Sequence, residues 1–417
     1  MLGRFKTLNI KDFTLFSVAL GLTSEWQVSD YDFDGDSGEL LIKLDFKKGS
    51  KFACASCGSE NLPVHDTVIK RWRHLNFFQH KAFLEARVPR SLCPKCGVRL
   101  IQVPWSRPGS GFTLLFELHV LLLTKDMPVS AIASQLDEHD TRLWRMIRHY
   151  VDHARKELDL SSVSRVGVDE TSSKKGHKYV TIFVDLDSSK VLFATKGKDS
   201  DTIKEFKKFL ENQGVDPDAI TDFSSDMSPA FISGVEEHFP KARITFDKFH
   251  ISKKLNEAVD QVRREEVAAE EILKKTRYLW LKNYENLTEK QKVALNKVSF
   301  AKKNLKTARA YRIKLVFQEL YQETAESAES FLKKWYFWAT HSRLEPIKKF
   351  AGTVKSHWEG ILSWFDTSIN NGVLEGINSL IQNAKRRARG FRNTDNLITM
   401  IYLISGKFDW ISLTHFN

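Results

Sequence analysis

The 417 residues are 42% hydrophobic and 28% charged, which excludes a chain too polar to fold and leaves enough apolar content for several cores without disulfides. A formal net charge of +12 and a pI near 9.3 favour an acidic polymer such as double-stranded DNA as partner, because clustered Lys and Arg release phosphate counterions. No apolar run reaches the length of a membrane span, so no membrane partner is expected.

At the N-terminus, Phe13 to Leu22 follows Arg4, Lys6 and Lys11 and has the look of a signal-peptide core, but no small-x-small cleavage site comes after it. A short amphipathic helix in a cytoplasmic, nucleoid-associated protein is the expectation. An acidic stretch, Asp30 to Asp36, and a strand, Glu39 to Phe46, come next.

All four cysteines lie in two knuckles, Cys54-Ala-Ser-Cys57-Gly58 and Cys93-Pro-Lys-Cys96-Gly97. Two thiolates can reach one ion across each tight turn, and the following glycine permits the left-handed backbone such a turn needs. A Cys₄ set suits structural Zn²⁺; a redox dithiol would need a βαβ setting that is missing here. His65, His74 and His80 fall between the knuckles and could in principle replace a thiolate. The long interval predicts strands over Asp66 to Trp72 and Ala82 to Pro89.

From Gly111 the pattern turns helical over Phe112 to Leu123. A short helix over Pro128 to Leu136, a turn at Asp137 to His139 and a second helix over Asp140 to Val151 read as a helix-turn-helix. Leu143, Ile147 and Tyr150 take core positions in the second helix, while Arg142, Arg145, Arg148 and His149 face outward towards a groove or phosphates. A basic solvated helix in an ordinary bundle is the competing explanation.

After Ser164 the period switches to strands over 165–169, 178–187 and 190–197, then a helix over Asp201 to Asn212 and a strand ending at Asp226. A helix from Ser228 to Phe239 and a strand Ala242 to Phe246 complete the order β-β-β-α-β-α-β. This is the order of a ribonuclease H-like mixed sheet, in which the first and fourth strands are neighbours, so Asp169 and Asp226 would be adjacent. Adjacent carboxylates repel unless a cation lies between them, and Mg²⁺ or Mn²⁺ is the natural occupant. Glu375, opening a helix that also carries Asn378, is the candidate third acid. Glu170 should point to the opposite face, and Asp247 is either a rival or a helix cap. Lys385, Arg386, Arg387, Arg389 and Arg392 form a basic run suited to phosphates, and His250 is a further candidate phosphate contact.

Residues 248–374 read as helical, with Ile347, Phe350, Val354, Trp358, Ile361 and Phe365 as one buried stripe. Trp280, Trp335, Trp338, Trp358 and Trp364 fall here; most should be core, although one could stack on an unpaired base.

The succession of zinc knuckles, helix-turn-helix, Val-Asp169-Glu, Ser-Ser-Asp226-Met-Ser, Phe246-Asp-Lys-Phe-His250 and Asn370-Asn-x-x-x-Glu375-Gly-x-Asn378 resembles the DDE transposases of bacterial insertion sequences, ISL-three group. The resemblance spans roughly residues 45 to 405. It implies Asp169, Asp226 and Glu375 as a catalytic triad on two divalent ions, cleavage at element ends followed by strand transfer to target DNA, and a homodimer at least on DNA. The expected organisation is multidomain α/β: an N-terminal segment 1–45, a zinc-binding domain 46–104, a helix-turn-helix domain 105–160, a catalytic core 161–275, a helical insertion 276–365 and the last part of the core 366–417. A non-catalytic DNA-binding regulator and a structure-selective nuclease or resolvase are the alternative functions.

Overall fold

A computed structural model describes residues 10–174, 176–301, 304–369 and 372–414. Contacts divide the chain into two units, residues 1–157 with 408–417, and residues 158–407. Among the described residues, no helix is long and apolar enough to cross a membrane.

The first unit opens with helix α1 (Ile10–Ala19) and strands β1 (Trp26–Asp34), β2 (Glu39–Phe46), β3 (Val64–Phe77), β4 (His80–Cys93) and β5 (Gly97–Leu100). The sheet runs β1-β2-β4-β3, with β5 paired to β4. Alternation buries Leu40, Ile42 and Leu44 from β2 and Ala82, Leu84, Ala86 and Val88 from β4. Trp105 closes this core edge-on to Trp26 and Trp72, at 4.7 and 5.6 Å between ring centroids. Most of the acidic stretch, Asp30 to Asp34, is the outer end of β1, paired to β2 as far as Asp34 and Glu39. Only Trp26 and Val28 of that strand are buried, so its alternation is too short to be read.

Helices α2 (Leu114–Thr124), α3 (Val129–Leu136) and α4 (Asp140–Lys156) follow. Pro128 starts α3 with extended backbone, and Asp137 ends it in the left-handed region, as a tight turn requires. The helices are tied through Glu117, fully buried on α2. Its carboxylate accepts from Arg107 Nε at 3.0 Å, Ser110 Oγ at 2.7 Å and, across to α4, Tyr150 Oη at 2.6 Å. A buried carboxylate is tolerable because its lone pairs are so fully taken up.

The second unit contains β6 (Arg165–Lys174), β7 (Lys178–Asp185), β8 (Lys190–Lys196), α5 (Asp201–Asn212), β9 (Asp222–Ser225), α6 (Pro229–His238) and β10 (Arg243–Phe246). The sheet order is β10-β9-β6-β7-β8, with β10, β9 and β6 parallel and β7 antiparallel to both neighbours. This is the ribonuclease H-like arrangement. One expectation needs correcting, since β6 does not stop at its acidic residues but continues through the polar Thr171 to Lys174 as a hairpin with β7.

Helices complete the unit: α7 (Lys248–Glu266), α8 (Arg277–Leu281), α9 (Glu289–Ala301), α10 (Lys306–Glu319), α11 (Ala325–Thr340), α12 (Glu345–Ser356), α13 (Trp358–Thr367), α14 (Gly372–Arg387) and α15 (Thr394–Ser405). The last helix, α16 (Trp410–Thr414), belongs to the first unit and packs on α2. The apolar stripe from Ile347 is split between α12 and α13 at His357; Ile347, Phe350, Val354 and Ile361 are buried, and Trp358 and Phe365 only partly. At Gly360, α13 lies so close to β10 that a Cβ would run into the Phe246 ring.

The helical layer buries the ammonium of a lysine. Lys314 of α10, 1% exposed, donates to the carbonyls of Trp280, Leu281 and Lys282 at 3.2, 2.7 and 3.3 Å and so caps the C-terminal end of α8. Burial lowers its ammonium to about 8. Lys314→Met strands those carbonyls without a donor and should cost ~2–4 kcal/mol, read as a lower urea midpoint for the full chain. An unchanged midpoint would show that water replaces the ammonium at no cost.

Candidate functional site

The zinc centre is built by two turns of matching shape. Gly58 and Gly97, each following the second cysteine of a knuckle, have φ of +70° and +72°. The Gly58 N–H donates to the Cys54 carbonyl at 2.9 Å and the Cys54 N–H to the Ser59 carbonyl at 2.9 Å, folding the first knuckle; Cys93 pairs with Gly97 to form the second between β4 and β5. The ligand atoms of Cys54, Cys57, Cys93 and Cys96 all lie within 4.8 Å of one another. Tetrahedral thiolate–zinc bonds of ~2.3 Å demand sulfurs about 3.8 Å apart, and Cys57 and Cys93 stand at 3.6 Å. Hydrogen bonds from Ser59 draw the Cys57 thiol down to about 6, towards the ligating thiolate. None of the three intervening histidines joins the group: His65 lies 3.2 Å from Asp66, His74 bonds Thr113 at 2.9 Å, and His80 packs edge-on to Phe33.

In α4, Leu143, Ile147 and Tyr150 are buried, and Arg145 is fully outward. Arg142 is partly committed, since it pairs with Glu138 at 2.6 Å and stacks over the Phe112 ring at 4.4 Å. Arg148 is half-buried with its Nε inside, so it offers less of its guanidinium than Arg145.

The acidic residues meet at the centre of the second unit's sheet. Strand β6 pairs with β9 in parallel at Arg165–Asp222, Val166–Phe223 and Gly167–Ser224, and carrying that register two residues further sets Asp169 level with Asp226. Burial raises the Asp169 carboxyl to about 6, against hydrogen bonding from the Glu170 N–H and attraction by His250, with the Glu170 and Asp226 charges adding to the rise. The Asp226 carboxylate accepts from the Ser228 N–H at 2.9 Å at the entry to α6. Glu170 is not isolated from this cluster, because burial and then the Asp226 charge raise its carboxyl too. Asp247 caps α7 by accepting from the Phe249 N–H at 2.9 Å, and His250 stands 3.8 Å from it.

Helix α14 is laid along β6. Leu374 packs at Gly167, Asn378 donates to Asp169 Oδ2, Gln382 donates to Thr171 Oγ1 at 2.7 Å, and Lys385 donates to the Ser172 carbonyl. Four helical residues rise ~6 Å and two strand residues ~6.6 Å, so the two ladders stay in step. Gly167 makes the approach possible, because a Cβ there would come within 2.7 Å of Leu186 and 2.9 Å of Leu374. A glycine inside a β-branched run was the sequence signal for that contact. Gly167→Val should cost ~1–3 kcal/mol of overpacking and lift α14 from Asp169, read as a lower melting temperature and faster hydrogen exchange in α14. Unchanged protection of α14 in the folded variant would contradict this packing role.

Glu375 stands on the exposed side of α14 and lines a cleft of about 620 Å³ with Asp247, Lys248 and Phe249. Among the described residues, the three carboxylates do not lie within 4.8 Å of one another as the cysteines do. It is therefore Asn378, not Glu375, that touches Asp169; its Oδ1 is buried without a hydrogen-bond partner. Asn370 and Asn371 lie outside the described residues. Of the basic run, Lys385 is spent on Ser172 and Arg386 bonds Asn383; Arg387, the last residue of α14, and Arg389 and Arg392 beyond it are exposed, and the helix end is closed by the Gly390 N–H on the Lys385 carbonyl at 2.8 Å. Trp280 and Trp335 are fully buried and cannot meet a ligand; Trp338 is 41% exposed.

Comparison with known proteins agrees along the length of the chain. Residues 166–401 match the transposase model of the ISL3 DDE type, residues 101–151 the helix-turn-helix domain of transposase family ISL3, and residues 50–96 the zinc-finger of transposase IS204/IS1001/IS1096/IS1165. The chain is similar to the transposase for insertion sequence element IS1557 of Mycobacterium tuberculosis, 27% identical over 433 residues that cover 94% of this chain and 96% of the relative. It is also similar to the transposase for insertion sequence element IS1001 of Bordetella parapertussis, 29% identical over 391 residues, 90% of this chain and 94% of the relative.

Proposed function

This chain belongs to the ISL3 family of transposases, and from that premise we propose that it cuts DNA at the ends of its insertion sequence and joins them to target DNA. The observation that carries the reading is the register that puts Asp169 level with Asp226 while α14 holds Asp169 through Asn378. The assigned roles are Asp169, Asp226 and Glu375 as carboxylates for two divalent ions, Mg²⁺ or Mn²⁺. Their all-oxygen donor set suits hard cations, and burial first, with the Glu170 and Asp226 charges adding to it, holds the Asp169 carboxyl up at about 6, a cost that a bound cation would offset. When bound, such ions supply Lewis acidity at the attacking and leaving oxygens of an in-line phosphoryl displacement.

The protein's own groups fix the geometry. The Asn378 amide and the Glu170 N–H hold the two oxygens of Asp169, and the Ser228 N–H holds Asp226, so neither carboxylate must reorganise during reaction. His250, in the first turn of α7, would donate to a non-bridging phosphate oxygen. In the first displacement a water oxygen bonds to phosphorus as the bond to the 3′ oxygen breaks, leaving a 3′ hydroxyl and a 5′ phosphate. In the second, that hydroxyl attacks a target phosphodiester and displaces the target's own 3′ oxygen. Arg145 with Arg142 and Arg148 would read the element end, and Arg386, Arg387, Arg389 and Arg392 would neutralise phosphates. Two ends must be joined in one event, so the active form on DNA is a homodimer.

The test is a cleavage and strand-transfer assay with Mg²⁺ or Mn²⁺ on DNA carrying the element's terminal repeats. Nicks at the element ends and joined products are expected. Binding without any cleavage would favour a regulator, and cleavage of branched DNA without joining would favour a structure-selective nuclease.

A further inference from the structure

The cleft that Glu375 lines runs along α7 to the start of the helical layer, and its far wall carries Arg264 and Arg277. These two guanidinium groups are not loose. Asp260, 7% exposed, lies 3.6 Å from Arg264 Nε and 3.4 Å from Arg277 Nε, and its other oxygen is taken by Arg263 at 2.8 Å. One buried carboxylate thus orients three arginines and leaves a local excess of positive charge, with Arg264 and Arg277 more than half exposed. At the opposite end of α7 from Arg264, lining the same cleft as Glu375, stands Phe249, an aromatic ring 56% exposed on the first turn. Exposed Lys248 and Lys253 flank it.

The acids of the cleft do not cancel this charge evenly. Asp247 is spent capping α7 and Asp260 on its arginines, which leaves Glu257 and Glu375 as the outward carboxylates. A bare aromatic face between fixed cations is the arrangement that binds a nucleic-acid strand by stacking a base and holding its phosphates. From Phe249 to Arg264 the cleft follows ~22 Å of α7, the length of several nucleotides of a single strand, and at about 620 Å³ it is too small for a duplex.

We propose that this cleft is a single-strand subsite, in which Phe249 stacks on an unpaired base next to the scissile phosphate and Arg264 and Arg277, oriented by Asp260, hold the backbone beyond it. The proposal rests on the transposase reading for the position of the scissile bond. It makes the enzyme a sensor of end opening: a terminal base pair must part before the strand seats.

The test compares two fluorescent probes of the element end, one fully paired and one with its outermost few base pairs mismatched, titrated with the full chain in Ca²⁺. Wild type should bind the mismatched probe more tightly. Phe249→Ala should weaken that binding ~10-fold, and Phe249→Trp should restore it, because any large aromatic face will stack. Arg264→Ala combined with Arg277→Ala should weaken it similarly and flatten its salt dependence by up to about two counterions. Affinity for the paired probe should stay unchanged in all three. Equal losses on both probes, or none, would overturn the subsite. Cleavage in Mg²⁺ is scored separately. An enzyme that cuts element ends while Phe249→Ala is indifferent keeps its function and loses the subsite. One that prefers open ends yet never cuts keeps the subsite's strand binding and loses its link to a scissile phosphate.

Discussion

Asp169→Asn should abolish DNA cleavage, by ~10³-fold or more, and at the same time give a more heat-stable protein when divalent ions are absent. The first half follows from the role assigned to the carboxylate, since an amide neither carries the charge nor ligates a hard cation well. The second follows from electrostatics. The Asp169 carboxyl sits at about 6 in the fold, whereas an unfolded aspartate titrates near ~3.9. The folded state therefore binds the proton more tightly, and the stability it contributes is present below about pH 4 and lost as pH rises through about 6. At neutral pH the burial of the charge costs on the order of 1–2 kcal/mol after allowance for the side chain's partial exposure. Replacing it by an amide, which can still accept from Asn378, removes that cost and should raise the melting temperature by a few degrees in EDTA. The gain should vanish near pH 4. Addition of Mg²⁺ should raise the melting temperature of the wild type and leave the variant's nearly unmoved. A variant that cleaves normally, or one that is less stable in EDTA at neutral pH, would contradict the assignment.

Stripping zinc should unravel the knuckle lobe while leaving the rest of the first unit's sheet intact. The buried residues of that lobe are Cys54, Leu62 and Cys93, with Cys96 packed against them. Phe52 is anchored on Trp26 and Phe46, but beyond it and one leucine the ligands are their own core, so little else offsets the chain entropy of ordering residues 53–63. The tryptophan core of Trp26, Trp72 and Trp105 is a separate cluster and does not depend on the metal. Structural zinc in small fingers is worth ~10 kcal/mol or more at neutral pH, so chelation should convert the lobe to an open state rather than loosen it. Hydrogen exchange read by peptide should show the amides of Cys54 and Gly58 losing protection by several orders of magnitude, with β2 unchanged. Metal analysis should return about one zinc per chain, and Cys93→Ser should hold less zinc and exchange like the chelated protein. Protection that survives complete removal of metal would mean the knuckles fold without it.

What could be read in advance divides along physical lines. Strand β2 and helix α5 lie where the pattern puts them, because Leu40, Ile42 and Leu44 alternate and Ile203, Phe206 and Leu210 recur at helical spacing. The knuckles were legible because their glycines and cysteines act within a few residues of one another. Strand β1 and the outer half of β6 were not, since their exposed residues carry no apolar alternation and only pairing with a neighbour makes them strands. The split between α12 and α13 was hidden for the opposite reason: the apolar spacing runs on unbroken through the bend at His357. In the acidic centre, the neighbourhood of Asp169 and Asp226 followed from strand order alone. That Asn378 rather than Glu375 bonds Asp169, and that Glu170 feels the Asp226 charge, depends on rotamers and on how a helix is seated, which no periodicity encodes. Nor does any local pattern announce that Asp260 is buried beneath three arginines, or that Phe249 is left bare beside them.

The stepwise seating of α14 on β6 reaches beyond the active site. The strand and the helix are held together by their own contacts at Gly167, Asp169, Thr171 and Ser172, so the position of the helix does not depend on the path the chain takes between them. Closing a longer excursion costs only the slowly growing logarithm of its length. The helices from α8 to α12 are thus free to be lengthened, shortened or exchanged between related elements without retuning the acids. On the proposed function, change in how DNA ends are handled can accumulate there, while the proposed carboxylates stay fixed by β6, the end of β9 and α14.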